Sequence, residues 1–422
     1  MYALVDCNSF FCSVEKVFHP GLNGKPVVVL SSNDGCIVAL TPEAKAVGLH
    51  RGDPIFKVKD IVEHRDVQVF SGNMQLYAAM SKRVTDILRK SVLHVENYSI
   101  DESFCDLKGY EAYNDLTEMM RGIARKIKLW TDIPVSVGIA PSKTLAKMGS
   151  KFAKKYKGFR GVCMIDTDEK RRKALALFDL ADVWGIGRHT LEKLNYYGVC
   201  TPLDFADKSE SWVRSHFHKP GLQTWLELNG KPCIDTSEVV LNRTVCTSRS
   251  FGNMVSDLTS LKASVATFAG SCASKLRGQD AGASEVTVFL CSNRFREDLP
   301  QYGNSATFPL FAPTSDTLEI TRVALRIVEQ IYKPGIMYKK SGVIVSGIKS
   351  LTHIQTDLFD PIRNRIGRCR LMKAVDAINH RYGLKTLQLA IEGEKRQSWK
   401  VKSEHRSPNY LTDLNEILTV RI

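Results

Sequence analysis

The stretch "NYSIDESFCDL", residues 97–107, constrains the fold more than any other part of the chain. It sets Asp101 beside Glu102 between two apolar fragments, where Ile100, Phe104 and Leu107 mark a core. Successive strand residues face opposite sides, so a straight strand would bury one of the two acids at considerable desolvation cost. A cation at that place removes the difficulty. The remaining sequence must then supply its other ligands.

"YALVD", residues 2–6, is a continuous apolar run ending in an acid, the pattern of a buried strand with an exposed tip. A helix follows, then "LHVENYSI" and "SFCDL" as a hairpin, a helix near 111–130, the strand "IPVSVGIA" and a helix from Ser142. This is a split β-α-β order, interrupted by an insertion over residues 20–75, and it allows Asp6 to approach Asp101 and Glu102 across one sheet. Three carboxylates around one small volume form an oxygen-only set that suits hard cations, chiefly Mg²⁺. Two such ions about 4 Å apart would activate an attacking hydroxyl and stabilise a leaving pyrophosphate oxygen. An Asp-Glu pair more often lies on a solvated turn, so the company of these acids decides the reading.

At 422 residues the chain exceeds one ordinary core, and its 43% hydrophobic content supports folding throughout. The class expected is α+β and multidomain. Lys plus Arg number 59 against 45 Asp plus Glu, a net charge of +14 that predicts a polyanionic partner, nucleic acid first. No apolar run approaches the roughly 18 residues of a spanning helix. "MYALVDCNSFF" has neither a charged start nor a cleavage site, so no membrane is expected and the location expected is cytoplasmic. Eleven scattered cysteines without a CxxC pair fit reduced thiols, and His216 and His218 read as surface residues, not as half of a zinc site.

In "CNSFFCSVE", Asn8 or Ser9 is placed to cap a helix whose free N–H groups face an anion, with Phe10 and Phe11 beside them. "SKTLAKMGSKFAKKYKG" puts Lys143, Lys147, Lys151 and Lys154 or Lys155 along one helical face. Either a solvated face or a triphosphate accounts for that stripe. "VWGIG", residues 183–187, sits among short helices spanning 167–235, and its Gly185 and Gly187 permit close backbone approach to phosphates. A ligand-free turn is the competing account. After a linker near 235–242, a second β-α-β-β-α-β order follows, resembling the first in topology, with Arg294, Arg296, Lys339 and Lys340 near strand ends. Beyond residue 350 the chain turns polar, and that tail is expected to be partly disordered or partner-dependent.

Taken together, "DCNSFFCSVE", "NDGCIVALTPEAKAVGLHRGDP", "YSIDESFCDL", "SVGIAPSKTLAK", "VWGIG" and "SRSFG" resemble, in order, the motifs of the Y-family of translesion DNA polymerases, in its polymerase V branch. The resemblance implies a ferredoxin-like palm over residues 1–10 and 76–166, small fingers over 11–75, and a helical thumb with a helix-hairpin-helix over 167–235. It further implies a little finger over 242–350 and a C-terminal tail over 351–422. By the same likeness Asp6, Asp101 and Glu102 hold two Mg²⁺ ions with the backbone carbonyl of Cys7. Phe11 takes the steric-gate position, and Lys154 that of the triphosphate-binding lysine. Ala39, Pro42 and Lys45 stand where better-known members carry Thr, Tyr and Arg, which leaves Lys45 as the fingers' triphosphate contact. Small residues such as Gly35, Cys36 and Ala39 imply a roof that packs loosely on the nascent base pair.

The partners implied are primer-template DNA and deoxynucleoside triphosphates, and Gly185 and Gly187 become DNA contacts. "QTDLF", residues 355–359, is similar to a sliding-clamp-binding peptide through Gln355, Leu358 and Phe359, with Thr356 in place of a frequent leucine. The tail segments "LKTLQLAIEG" and "SPNYLTDL" are similar to those of the polymerase V branch, which implies a UmuD-type accessory dimer and a RecA filament as partners. Two other classes compete. A catalytically silent DNA-binding or clamp-tethered scaffold would retain the charge, hairpin and tail but has no use for the three acids. A nucleotide cyclase would share the paired metals but has no use for "VWGIG" or a second basic domain.

Overall fold

The computed structural model describes the chain apart from residues 114, 236–240, 352–359, 361, 363, 384, 394–396, 398 and 419–422. Two compact units result, Met1–Glu238 with Glu404–Ile422, and Val239–Ser403.

The first unit runs β1 (Tyr2–Cys7), α1 (Phe10–Phe18), β2 (Val27–Leu30), β3 (Ile37–Leu40), α2 (Pro42–Ala46), α3 (Lys59–His64), β4 (Gln68–Ser71), α4 (Met74–Ser91), β5 (His94–Asn97), β6 (Glu102–Asp106), α5 (Leu116–Thr131), β7 (Val135–Ala140), α6 (Lys143–Lys155) and β8 (Val162–Met164). Four helices follow: α7 (Asp168–Leu177), α8 (Arg188–Tyr196), α9 (Pro202–Ala206) and α10 (Glu210–Leu228). The main sheet has the order β5-β6-β1-β7-β8, so the first strand lies in its middle, antiparallel to both neighbours. Its apolar run is continuous because both faces are covered. Ala3, Val5 and Cys7 pack with Met80 of α4 and Met120 and Ile127 of α5, while Leu4 packs with Leu145 and Met148 of α6.

The approach of α6 depends on glycine. A Cβ on Gly138 of β7 would lie 2.0 Å from the Ala146 carbonyl oxygen, and one on Gly149 of α6 would lie 3.0 Å from the Gly138 Cα. Two missing side chains thus let the helix lie directly on the strand, within reach of the sheet's tips. Glu227 of α10 anchors the other end of α6: it is fully buried and accepts from the Thr144 N–H at 2.9 Å, while the N-cap Ser142 hydroxyl donates to the Glu227 carbonyl at 2.6 Å. A carboxylate at a helix N-terminus is favoured by the macrodipole.

A smaller sheet, β3-β2-β4, forms within the insertion. Val28 and Leu30 of β2 face its own core of Ile37, Leu40, Ala44, Leu49 and Val67, whereas Val27 and Val29 face the main core. In the helical stretch His218 is exposed, in line with its sequence-based reading, and His216 is half-buried. It stacks on Trp212 at 4.7 Å and meets the Tyr197 ring edge-on at 4.8 Å. The i,i+4 spacing within α10 accounts for the first contact.

The second unit contains β9 (Thr244–Val255), α11 (Leu258–Arg277), β10 (Ala281–Ser292), β11 (Gly303–Thr314), α12 (Thr317–Ile331), β12 (Tyr338–Ser346), β13 (Lys349–Ser350) and α13 (Arg365–Tyr382). The β-α-β-β-α-β element order is present, but the strand order, β11-β10-β12-β9, is not that of the first sheet. Here β12 slots between β10 and β9, which sends the first strand to the edge. The likeness in topology is therefore corrected to a likeness in element order.

The described residues of the tail make specific contacts. On the second unit, Arg365 of α13 pairs with Glu319 at 3.2 Å, Arg277 pairs with Asp376 at 2.6 Å, and Trp399 is buried against Phe268. Residues from Glu404 onward belong to the first unit. These dockings use ion pairs and a single buried aromatic ring, which leave no apolar period to read.

Candidate active site

Antiparallel pairing of β1 with β6 sets Asp6 opposite Glu102, two residues along from the Leu4–Phe104 pair. Alternation along the strands therefore turns both acids toward α6, the side on which Leu4 and Phe104 are buried. Asp101 precedes β6 in the turn, and its carbonyl accepts from the Cys7 N–H at 2.9 Å. The adjacent acids are thus not forced onto opposite faces of a straight strand. One stands on the strand and the other on the bend leading into it. Ser99 shapes that bend: its hydroxyl donates to Asp101 Oδ1 at 2.5 Å and accepts from the N–H groups of Asp101 and Glu102 at 3.2 and 3.0 Å. Sequence reasoning passed over Ser99, although a serine two residues before an acid is a recognisable turn signal.

The lysine stripe on α6 meets acids along its whole length. Lys143 pairs with Glu96 at 2.5 Å, Lys147 with both Glu102 oxygens at 3.0 and 2.9 Å, Lys151 with Asp182 at 3.2 Å and Lys154 with Asp6 at 3.7 Å. Lys143 is buried, so it belongs to no solvated face. Lys147 lies 4.8 Å over the Tyr98 ring and 5.4 Å over Trp184, and Trp184 stacks on Phe104 at 6.0 Å. The tryptophan of "VWGIG" therefore holds the hairpin against the acid-bearing sheet. Gly185 has φ +97°, and a Cβ there would lie 2.3 Å from the Thr224 hydroxyl oxygen. Gly187 caps α8, and both glycines are exposed.

Burial, with added repulsion from Glu102 and Asp101, pushes the Asp6 carboxyl up to about 6, although Lys154 and Lys147 pull the other way. Burial thus outweighs the two ammonium groups beside it. Burial also pushes the Cys7 thiol up, which keeps it neutral and leaves its backbone carbonyl as the donor suited to a hard ion. Among the described residues no three His, Cys, Asp or Glu side chains are already gathered as a metal cluster. Lys147 draws Glu102 toward itself, and Lys154 stands beside Asp6. The donor set, oxygen throughout, and the raised Asp6 both fit a divalent cation.

Phe11, half-buried on α1, stacks on Tyr77 at 4.5 Å between ring centroids. Neither Asn8 nor Ser9 caps α1 as expected. Ser9 occupies the N-cap with φ 45°, but its hydroxyl donates to the Leu40 carbonyl, and the Asn8 side chain accepts from Ser136. Lys45 is exposed on α2, on the smaller sheet's core, and is not among the lysines that meet the acids. In the second unit Arg294 is exposed, Arg296 pairs with Asp298, and Lys339 turns inward to donate to the Phe251 carbonyl at 2.6 Å. The peptide with Gln355, Leu358 and Phe359 lies outside the described residues. Among the described residues no helix is long and apolar enough to cross a membrane.

Comparison with known proteins matches residues 5–151 to the impB/mucB/samB family, residues 242–358 to the C-terminal domain of that family, and residues 369–420 to a domain of unknown function (DUF4113). The chain is 40% identical to Protein UmuC of Salmonella typhimurium, with 100% of both chains covered. It is 37% identical to Protein ImpB of the same species, again over 100% of each. DNA polymerase IV of Methanoculleus marisnigri matches 76% of this chain and 87% of its own length at 29% identity. Among solved structures, a Y-family DNA polymerase chimera (Dbh-Dpo4-Dbh) aligns with TM-score 0.64 over 82% of this chain and 98% of that one, at 22% identity, which shows a shared fold. The insertion ternary complex of Dbh DNA polymerase aligns with TM-score 0.54 at the same coverage of each. Asp6 and Glu102, paired at one sheet tip, thus stand in a chain that belongs to the UmuC-like Y-family translesion polymerases, which are DNA-directed DNA polymerases.

Proposed function

We propose that the chain performs error-prone, template-directed DNA synthesis across damaged bases by two-metal nucleotidyl transfer, as the catalytic subunit of a polymerase V-like SOS complex in the cytoplasm. The observation that carries this reading is the pairing of Asp6 with Glu102 beside the Asp101–Cys7 backbone hydrogen bond. Asp6, Asp101, Glu102 and the Cys7 carbonyl would hold two Mg²⁺ ions. When bound, such ions lower the cost of deprotonating the attacking hydroxyl and of charge on the leaving oxygen. Glu102 then has a competitor for Lys147, which leaves Lys147 and Lys154 on α6 to receive the triphosphate oxygens. Lys45 is the candidate contact from the insertion.

In this reading the five-stranded sheet is a ferredoxin-like palm over residues 1–10 and 76–166, and the small sheet is the fingers over 11–75. The helices over 167–235 form the thumb, with Gly185 and Gly187 on primer-template DNA, and residues 242–350 form the little finger. Phe11 excludes a ribose 2′-hydroxyl. The small residues Gly35, Cys36 and Ala39 leave the base pair loosely covered, which favours damaged templates over fidelity. The tail from residue 351 carries the clamp-binding Gln355, Leu358 and Phe359 and the surfaces for a UmuD-type dimer and a RecA filament.

Primer extension on intact and abasic templates tests the reading. Asp101→Ala should abolish extension on both, and a rate equal to wild type removes the two-metal mechanism. Insertion opposite the abasic site no better than that of a replicative polymerase under equal conditions removes the translesion role.

A further inference from the structure

Residues 404–410 lie against the end of β4, at the edge of the small sheet. The Ser71 N–H donates to the His405 carbonyl at 3.0 Å, the His405 N–H donates to the Ser71 hydroxyl at 3.0 Å, and Ser71 and Arg406 form a parallel bridge. Asn73 caps α4 through its oxygen and donates through its nitrogen to the Ser407 carbonyl at 2.8 Å. The Tyr410 ring stacks on Phe18 at 4.7 Å. The segment is therefore seated by several contacts that do not depend on any one side chain.

One of its side chains reaches deeper. Ser407 donates to Glu15 Oε1 at 3.0 Å, and Tyr77 donates to the same oxygen at 2.6 Å. Glu15 and Tyr77 are fully buried, and among the described residues Glu15 Oε2 has no hydrogen-bond partner. The other side of the Tyr77 ring system is the stack on Phe11, nearly parallel at 16°. A buried carboxylate with a bare oxygen is costly, and an apolar contact would seat the segment at lower cost. What the polar chain adds is a fixed place for the Tyr77 phenol, and hence for the ring stacked on it.

We propose that the C-terminal segment is an intramolecular brace for the nucleotide site, in which Ser407, Glu15 and Tyr77 act as positioning residues that set Phe11. This rests on the reading of Phe11 as the sugar gate. A gate that rejects a single oxygen atom works only if its ring is held to within a fraction of an ångström, so loss of the brace relaxes sugar selection before it affects nucleotide transfer in general.

The test is single-nucleotide insertion by the full chain, comparing kcat/KM for a ribonucleoside and a deoxyribonucleoside triphosphate opposite the same template base. Thermal melting is recorded for every variant. Tyr77→Phe keeps the ring and removes the hydroxyl, Ser407→Ala removes the tail's donor, and Ser407→Thr keeps it. Tyr77→Phe and Ser407→Ala should each lower discrimination by roughly three- to tenfold, the scale of one ordinary hydrogen bond, with Ser407→Thr near wild type. Phe11→Ala tests the gate itself and should lower discrimination further. If Phe11→Ala relaxes selection while folded Tyr77→Phe and Ser407→Ala keep the wild-type ratio, the brace is refuted and the gate stands. A uniform fall for both nucleotides at constant ratio refutes the brace as well. If Phe11→Ala leaves selection intact, the gate reading fails and the brace with it. Should Tyr77→Phe not fold, Ser407→Ala decides alone.

Discussion

The two larger sheets share an order of elements and differ in where the first strand lies. In the first unit β1 has β6 on one side and β7 on the other, so a carboxylate at its tip has neighbours from which more acids can converge. In the second unit β9 is an edge, and it carries Arg243 just before it and Arg249 within it, both exposed. A central strand tip collects charge, whereas an edge displays it along a line, as suits a polyanion. A shared β-α-β-β-α-β order thus places charge differently in the two units, and position within the sheet separates them.

The comparison breaks most directly at matched acids. Glu102→Gln should lower nucleotide transfer by about 10²- to 10³-fold, as expected when a charge-stabilising group is lost from a metal site. Glu285→Gln on β10, an exposed acid that accepts from Ser346, should change it less than about twofold. Equal losses would mean that the first sheet has no privileged tip. Next in size, Gly138→Ala forces a methyl to 2.0 Å from the Ala146 carbonyl, and denaturant unfolding should show a loss of about 2–4 kcal/mol. A neutral result would show that α6 does not need its close seat.

A sharper test lies in pH. The Asp6 carboxyl is raised from 3.8 to about 6, so its neutral form favours the folded state. The stability this group contributes is complete below about pH 4 and is lost as pH rises through 6. Asp6→Asn should therefore stabilise the metal-free protein at pH 7.5 by about 2–3 kcal/mol while removing activity, and should give no such gain at pH 4. Urea midpoints in chelator at the two pH values measure this, and a gain independent of pH would contradict the burial of an ionised Asp6. The smallest effect is expected at the edge. Arg249→Ala should weaken DNA binding a few-fold and reduce the slope of log K against log salt by about 0.9. An unchanged slope would remove β9 from the DNA path.

Much of the site was legible because the strand signals and the acids coincide. The end of "YALVD" and the bend of "YSIDES" leave few ways for a split β-α-β order to keep Asp6 from Glu102. The lysines of α6 were legible as a stripe and illegible in role, since helical spacing places Lys143 and Lys147 on one face without naming Glu96 and Glu102 as the acids they meet. The strand order of the second unit could not be read, because β12 fits beside β9 or between β9 and β10 with the same apolar pattern. Glu15 gave no signal. A single acid in a short helix looks solvated, and only the fold shows it fully buried beneath Tyr77 and Ser407.

The seat of residues 404–410 on Ser71, Asn73 and Glu15 has a consequence for biosynthesis. During translation the whole of Val239–Ser403 is made between the two portions of the first unit. At about 5–20 residues per second, the nascent first unit waits on the order of ten seconds or more for residues 404–410. Throughout that interval Glu15 lacks the Ser407 hydroxyl, so a chain cut short before residue 404 would carry a first unit without its last contacts.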